Sequence, residues 1–314
     1  MTSRLLRAAA PLAALVYPAL VACGPALWPP LLATALLAPG IAVWASLRLA
    51  EVEARAARAI ALAAIGAPAL FSLLGGLLDF QHAIPLTSVR VWIPLWLVLA
   101  AVAVRKARTP RNTAHLARTS TSPRSSRLAI AHGIAALPLI AFAMAHLVNH
   151  LCGLAGGAAH LAVMRALRYV YRDRYVEPVL LASIAVVGIS GLTLVARRLA
   201  RCTTPIETLQ GAAGAYLSLF FASHLTAVLR ARGRGIDTDW HWLTGSDLLH
   251  DPWNARLVPY YALAVIALAV HLACGLRAVA IGHGASVRGW NWVVAAAVGL
   301  AAVASTSIVW ALAA

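Results

Sequence analysis

The sequence predicts an all-α, polytopic membrane protein: a bundle of about nine spanning helices, or eight if the first two are a single kinked one. Three observations predict it. Apolar residues make up 61% of the chain and charged residues 11%, with mean hydropathy +0.80, far more hydrophobic sequence than one soluble core could bury. The apolar stretches run near twenty residues, the ~30 Å that a helix needs to cross the hydrocarbon core. They also lack the two-residue alternation of outer-membrane strands, which leaves helices to satisfy the backbone in lipid.

The first two spans, 9–27 and 30–47, are interrupted by Pro11, Pro18, Pro25, Pro29 and Pro30, the reason they could be one kinked helix. Spans 57–78 and 90–104 complete an N-terminal four-span unit, residues 1–104. Residues 105–127 are polar and rich in Ser, Thr and Arg, and are expected to be a basic linker between units. Spans 128–152, 177–197, 208–230, 257–281 and 290–312 form the second unit, 128–314, in which the histidines are concentrated. Helix starts here are well marked. Thr204-Pro205-Ile206-Glu207 is a capping box with proline at the first helical position, and Glu177-Pro178 and Asp251-Pro252 place an acid and a proline at two more starts.

With the N-terminus inside, 17 of the 26 Lys and Arg residues fall in inward-facing segments, seven of them in 105–127. This bias follows the positive-inside rule and places the chain in a bacterial-type cytoplasmic membrane. The net charge of +16 is thus read as orientation and lipid contact; no aromatic residue or motif accompanies the arginines as a nucleic-acid surface would require. Cys23, Cys152, Cys202 and Cys274 are scattered singly, as small apolar fillers would be. Leu20-Val21-Ala22-Cys23 also has the form of a lipoprotein cleavage box after Arg4 and Arg7.

Ionisable side chains inside the membrane are the functional signal. His146 and His150 share a face of span 128–152, and His146 and His224 each lie six residues before the outer end of their spans, about 9 Å below one surface. Two level imidazoles on different helices can hold a haem iron from opposite sides, and Ala145, Ala222 and Ser223 leave room for a macrocycle. A hydrogen bond from each to a neighbouring helix is the structural alternative. His150 suits a haem propionate, a headgroup or a quinone carbonyl, or a plain interfacial role. His271 lies deeper and has no level partner by this count, because 177–197 contains no histidine and His132 falls some ~10 Å closer to the inner surface. His82, His115, His160, His241, His250 and His283 fall in loops or at ends, where solvation is the default. Asp237, Asp239, Trp240, His241 and Trp242 form an aromatic anchor at the outer surface, or the rim of a quinone, partner or metal site.

Four segments of the second unit carry a resemblance: Met144-Ala145-His146-Leu147-Val148-Asn149-His150, Arg168-Tyr169-Val170-Tyr171-Arg172 before Glu177-Pro178, Phe220-Phe221-Ala222-Ser223-His224-Leu225, and Val270-His271-Leu272-Ala273-Cys274-Gly275-Leu276-Arg277. With them, residues 128–312 resemble the five-helix membrane-anchor cytochrome b subunit of the succinate dehydrogenase and fumarate reductase family. The resemblance implies haem b held by His146 and His224, with His271 as the fourth-helix ligand of a second haem. The second-helix partner of His271 would fall near Ser190 or Gly191, which cannot ligate iron, so one haem is expected. It further implies electron relay between a cytoplasmic flavoprotein and iron-sulfur partner and a membrane quinone, with 105–127 as a docking surface or a lipid contact. The chain carries no dinucleotide fingerprint, cysteine cluster or flavin site, so it is at most the non-catalytic or quinone-reactive subunit of an oxidoreductase. The alternative is a haem-free scaffold or transport-like protein on the same frame, which should show paired broken helices with polar midplanes.

Overall fold

The computed structural model describes residues 3–22, 30–49, 55–78, 86–105, 123–199, 203–245 and 254–313. Among them there is no strand, and the chain is all-helical. Cys23, Cys202, His82, His115, His250, Asp251-Pro252 and residues 106–122 of the linker lie outside the described residues.

The N-terminal region forms α1 (Ser3–Leu15), α2 (Tyr17–Ala22), α3 (Pro30–Leu49), α4 (Arg55–Ile65), α5 (Ala67–Leu78) and α6 (Leu86–Val104). Sequence span 9–27 is thus broken at Val16, and span 57–78 at Gly66, where α4 and α5 bend by 66°. The second break has a local cause. Pro68 cannot donate to the carbonyl four residues back and disfavours a helical residue before it, and Gly66 tolerates the turn.

The second half forms α7 (Pro123–Cys152), α8 (Gly157–Tyr171), α9 (Val176–Arg198), α10 (Pro205–Gly233), α11 (Trp240–Thr244), α12 (Leu257–Gly282) and α13 (Val287–Ala313). The capping box at α10 is present, with Glu207 N–H donating to Thr204 Oγ1 and Thr204 N–H to the Glu207 carboxylate. At α9 the sequence marks Glu177-Pro178, and Asp173 Oδ1 also accepts from the N–H groups of Tyr175 (2.9 Å) and Val176 (3.4 Å).

Among the described residues, five helices are long and apolar enough to cross a membrane: α7, α9, α10, α12 and α13, or six if the bent pair α4–α5 is one span. The shorter apolar stretches Leu36–Leu49 and Ser88–Val104 belong to two further expected spans. Large apolar side chains stand exposed along α7, α9 and α13, including Ile134, Leu137, Ile189, Leu300 and Val303, the face expected of helices set in lipid.

The core is built from small residues. Ala10, Ala14, Ala42, Ala45, Ala61 and Ala64 are buried, which lets helix backbones approach closely where lipid gives no hydrophobic drive for association. The same core continues into Ala212, Ala213 and Tyr216 of α10 and Tyr260 of α12. Around it, Tyr17, Phe71, Trp92 and Trp96 form an aromatic cluster with ring centroids 5.2 to 6.5 Å apart. Hydrogen bonds cross between the halves: Arg58 Nη2 donates to Thr203 Oγ1 (3.1 Å) and Arg230 Nη1 to the Gly76 carbonyl (3.0 Å).

Candidate functional site

A cavity opens between α7, α8, α9, α10 and α12 at the end of the bundle where α7 and α10 finish. It encloses about 1870 Å³ of space between atoms, its open mouth included. His146, His150, His160 and His224 line it, with Arg168 and Arg172 nearer the mouth.

The helices place these side chains by simple spacing. His146 and His150 are one turn apart on α7, and their Nε2 atoms meet at 3.2 Å, so one donates to the other. His224 of α10 faces them, its ring centroid 6.3 Å from that of His146. Each member of this pair is backed by a phenylalanine four residues earlier on its own helix. Phe142 stacks on His146 at 5.4 Å and Phe220 on His224 at 5.2 Å, so both imidazoles are held in orientation by the same device.

The wall beyond His150 comes from α8 and α11. His160, expected to be solvated, is buried, and its Nε2 shares a 3.1 Å hydrogen bond with Asn149 Nδ2. The amide can only donate there, so His160 Nε2 accepts and the ring's proton sits on Nδ1. Burial pushes the His160 imidazole below its ordinary pKa, Arg168 adds to the shift, and Asp239 opposes it. Trp240 lies 4.8 Å from His160, centroid to centroid, and rests on the backbone of Gly153 and Gly157, where a Cβ would fall 2.6 Å from its ring. Gly156, between them, has φ 101° and ψ 164°, a conformation essentially confined to glycine. Gly156→Ala is therefore expected to cost about 1–3 kcal/mol. A thermal melt in detergent reads this, and an unchanged midpoint would mean that the turn adapts.

Charges close the mouth. Arg168 Nη1 bonds Asp237 Oδ1 at 2.6 Å, and Arg232 pairs with Glu177. The Nε atoms of Arg168 and Arg172 and the Nδ1 atom of His150 are buried without a hydrogen-bond partner. Asp239 caps α11 by accepting from Trp242 N–H at 2.9 Å, so both carboxylates of the predicted outer rim have structural partners. His241 and His283 are exposed, as expected.

Searches against protein-family models, curated proteins and solved structures found no match.

The structure thus brings together three of the four sequence-predicted site residues, His146, His150 and His224. His271 lies elsewhere, at the level of Gln210 on α10, and its ring centroid is 6.1 Å from that of His132. The depth count that separated those two histidines is corrected. It took each span to start and stop at common planes, whereas α7 begins at Pro123 and is 30 residues, or ~45 Å, long. His160, Asn149, Phe142 and Arg172 were not singled out as site residues by the sequence. The Phe-x-x-x-His spacing shared by α7 and α10 was the signal for the phenylalanine; His160 offered none, because its burial depends on α11 folding back over α8.

Proposed function

We propose that this chain is a haem b-binding membrane anchor, with His146 and His224 as axial ligands, relaying electrons between a cytoplasmic flavoprotein and iron-sulfur partner and a membrane quinone. The separation of His146 and His224 carries the proposal. Metal–imidazole bonds of about 2 Å on opposite sides of one iron put the two ring centroids about 6 Å apart, and these centroids are 6.3 Å apart on two helices that line one large cavity.

The donor set points the same way. Among the described residues no three or more His, Cys, Asp or Glu side chains gather to hold a metal ion. Two imidazoles suffice only for a metal that brings its own equatorial ligands, which a porphyrin does. The unpartnered Nε atoms of Arg168 and Arg172 at the mouth suit propionates, and iron ligation would take the His146 nitrogen that His150 now shares, freeing His150 for a propionate or a quinone carbonyl. Bound haem supplies one-electron transfer. The chain's own residues orient the imidazoles, exclude water and neutralise the mouth.

The family resemblance over 128–312 supports the partner side of the reading, as does the five-helix set α7, α9, α10, α12 and α13. We further propose the nine-span topology with the N-terminus inside a bacterial-type cytoplasmic membrane, on the charge bias of the sequence.

A dithionite-reduced minus oxidised spectrum of the purified protein, with haem quantified per polypeptide, tests the reading. A b-type difference spectrum is expected at one haem or more per chain. A haem-free protein overturns it and leaves the scaffold or transport-like alternative.

A further inference from the structure

A metal-ligating histidine is ordinarily oriented by a hydrogen bond from its second ring nitrogen, most often to a carbonyl or a carboxylate. Among the described residues neither His146 nor His224 has such a bond. His224 makes none, and the one bond of His146 is its Nε2 contact with His150. The last torsion of histidine is a broad, two-fold well, so the side chain alone does not fix the plane of its ring. We propose that Phe142 and Phe220 are positioning residues that replace the missing hydrogen bonds: their stacking fixes the planes of the two axial imidazoles and holds them crossed. The proposal rests on the haem reading of His146 and His224 and adds to it what sets their orientation.

The two rings are seated alike. Phe142 stands four residues before His146 on α7, and Phe220 four before His224 on α10, the spacing at which side chains meet on one helix face. Within each couple the planes are nearly parallel, 15° apart at 5.4 Å between centroids for Phe142 and His146, and 9° apart at 5.2 Å for Phe220 and His224. These are offset stacks, a preferred arrangement of aromatic rings. Each imidazole also meets a second ring edge-on, His150 against His146 at 82° and Tyr261 against His224 at 84°. Turning either imidazole about its Cβ–Cγ bond drives it into the face of its phenylalanine. The planes of His146 and His224 stand 58° apart, so two stacks made separately on two helices impose crossed ligands.

Each phenylalanine is itself held. Phe142 meets Tyr171 of α8 edge-on, with centroids 5.3 Å apart. Phe220 packs against the core that α10 and α12 share with the N-terminal helices; the Tyr260 ring lies 4.7 Å from it, and Tyr260 Oη donates to the Phe220 carbonyl at 3.4 Å. The His146 side is therefore braced by α8 and the His224 side by the shared core.

The levers a protein has on haem iron are its axial ligands and what surrounds them. The angle between two axial imidazole planes sets how the iron d orbitals split. Near-parallel planes give an ordinary rhombic low-spin ferric signal, and crossed planes give a more anisotropic one with a larger highest g value. Crossed planes are therefore a readable signature of the two stacks.

The low-spin ferric EPR spectrum of the full-length, haem-loaded protein tests this, with haem per polypeptide measured beside it. The wild type is expected to give the anisotropic form. Phe142→Leu and Phe220→Leu keep apolar bulk and remove the flat face, so in each the highest g value should fall or the signal should split into several. Phe142→Tyr and Phe220→Tyr keep the face and should keep the wild-type g values. A purely structural role would lower haem content or melting temperature without moving the g values of the haem that stays. Phe142→Met or Phe220→Met takes the place of a leucine variant that holds no haem. A rhombic wild-type signal, unmoved or raised g values in both leucine variants, or an equal shift in the tyrosine variants overturns the proposal while the haem site stands. A wild type without haem overturns the proposed function and this proposal with it.

Discussion

His146→Ala and His224→Ala are each expected to abolish the b-type signal of the cavity between α7 and α10, whereas His150→Ala and His271→Ala should spare it. The two residues are cavity imidazoles on facing helices at the spacing of a shared iron, and among the described residues no group of three or more His, Cys, Asp or Glu side chains gathers to hold a metal by itself. The expected loss is at least tenfold in occupancy of that site, read from the reduced-minus-oxidised spectrum. Glycine variants carry an internal control, because free imidazole can enter the vacated space: a signal regained on adding imidazole to His146→Gly or His224→Gly identifies a lost ligand and not a lost fold. Unchanged spectra in both alanine variants would remove the basis of the proposed function.

Trp92→Ala is expected to be the most destabilising single change in the N-terminal half, by roughly 3–5 kcal/mol. Trp92 is 0% exposed and sits between Tyr17, Phe71 and Trp96. Its Nε1–H donates to the Ala14 carbonyl at 2.8 Å. That carbonyl would ordinarily accept from the residue four further on, but Pro18 stands there and has no N–H, so the indole replaces the missing helical donor. Alanine would leave both a cavity and an orphaned carbonyl; phenylalanine would leave chiefly the carbonyl, at about 1–3 kcal/mol. Melting curves in detergent should rank wild type above Trp92→Phe and that above Trp92→Ala. Equal melting temperatures for the two variants would show that the hydrogen bond and not the ring volume sets the effect.

The legibility of these features in the sequence follows from their range. The five long apolar helices and the Thr204–Glu207 cap depend on neighbours in the chain, and their positions were readable within a few residues. The equal depth of His146 and His224 was also readable, because both are counted back from nearby helix ends. His132 was misplaced because α7 overruns its apolar stretch at the start, so counting depth from sequence ends fails for the long helix and succeeds for the short segments. Span 57–78 was read as continuous, although Pro68 marks its break; the 66° bend goes with close packing on α10, where a side chain at Gly66 would collide with Leu219. His160 is buried only because Trp240, eighty residues later, closes over it.

The shared core has a consequence for biogenesis. Helices α1 to α6 leave the ribosome first, yet part of their buried surface is completed by Ala212, Ala213 and Tyr216 of α10 and by Tyr260 of α12. Arg58 and Gly76 find Thr203 and Arg230 only 145 and 154 residues later. In water, such high contact order would leave apolar surface open to aggregation while synthesis continues. If the early helices lie in the bilayer, as the proposed nine-span topology has them, lipid tails would cover their alanine faces at little cost, and they would wait in place as a template on which α10 docks. The histidine-bearing helix would then acquire its final rotation from a surface laid down before it was made.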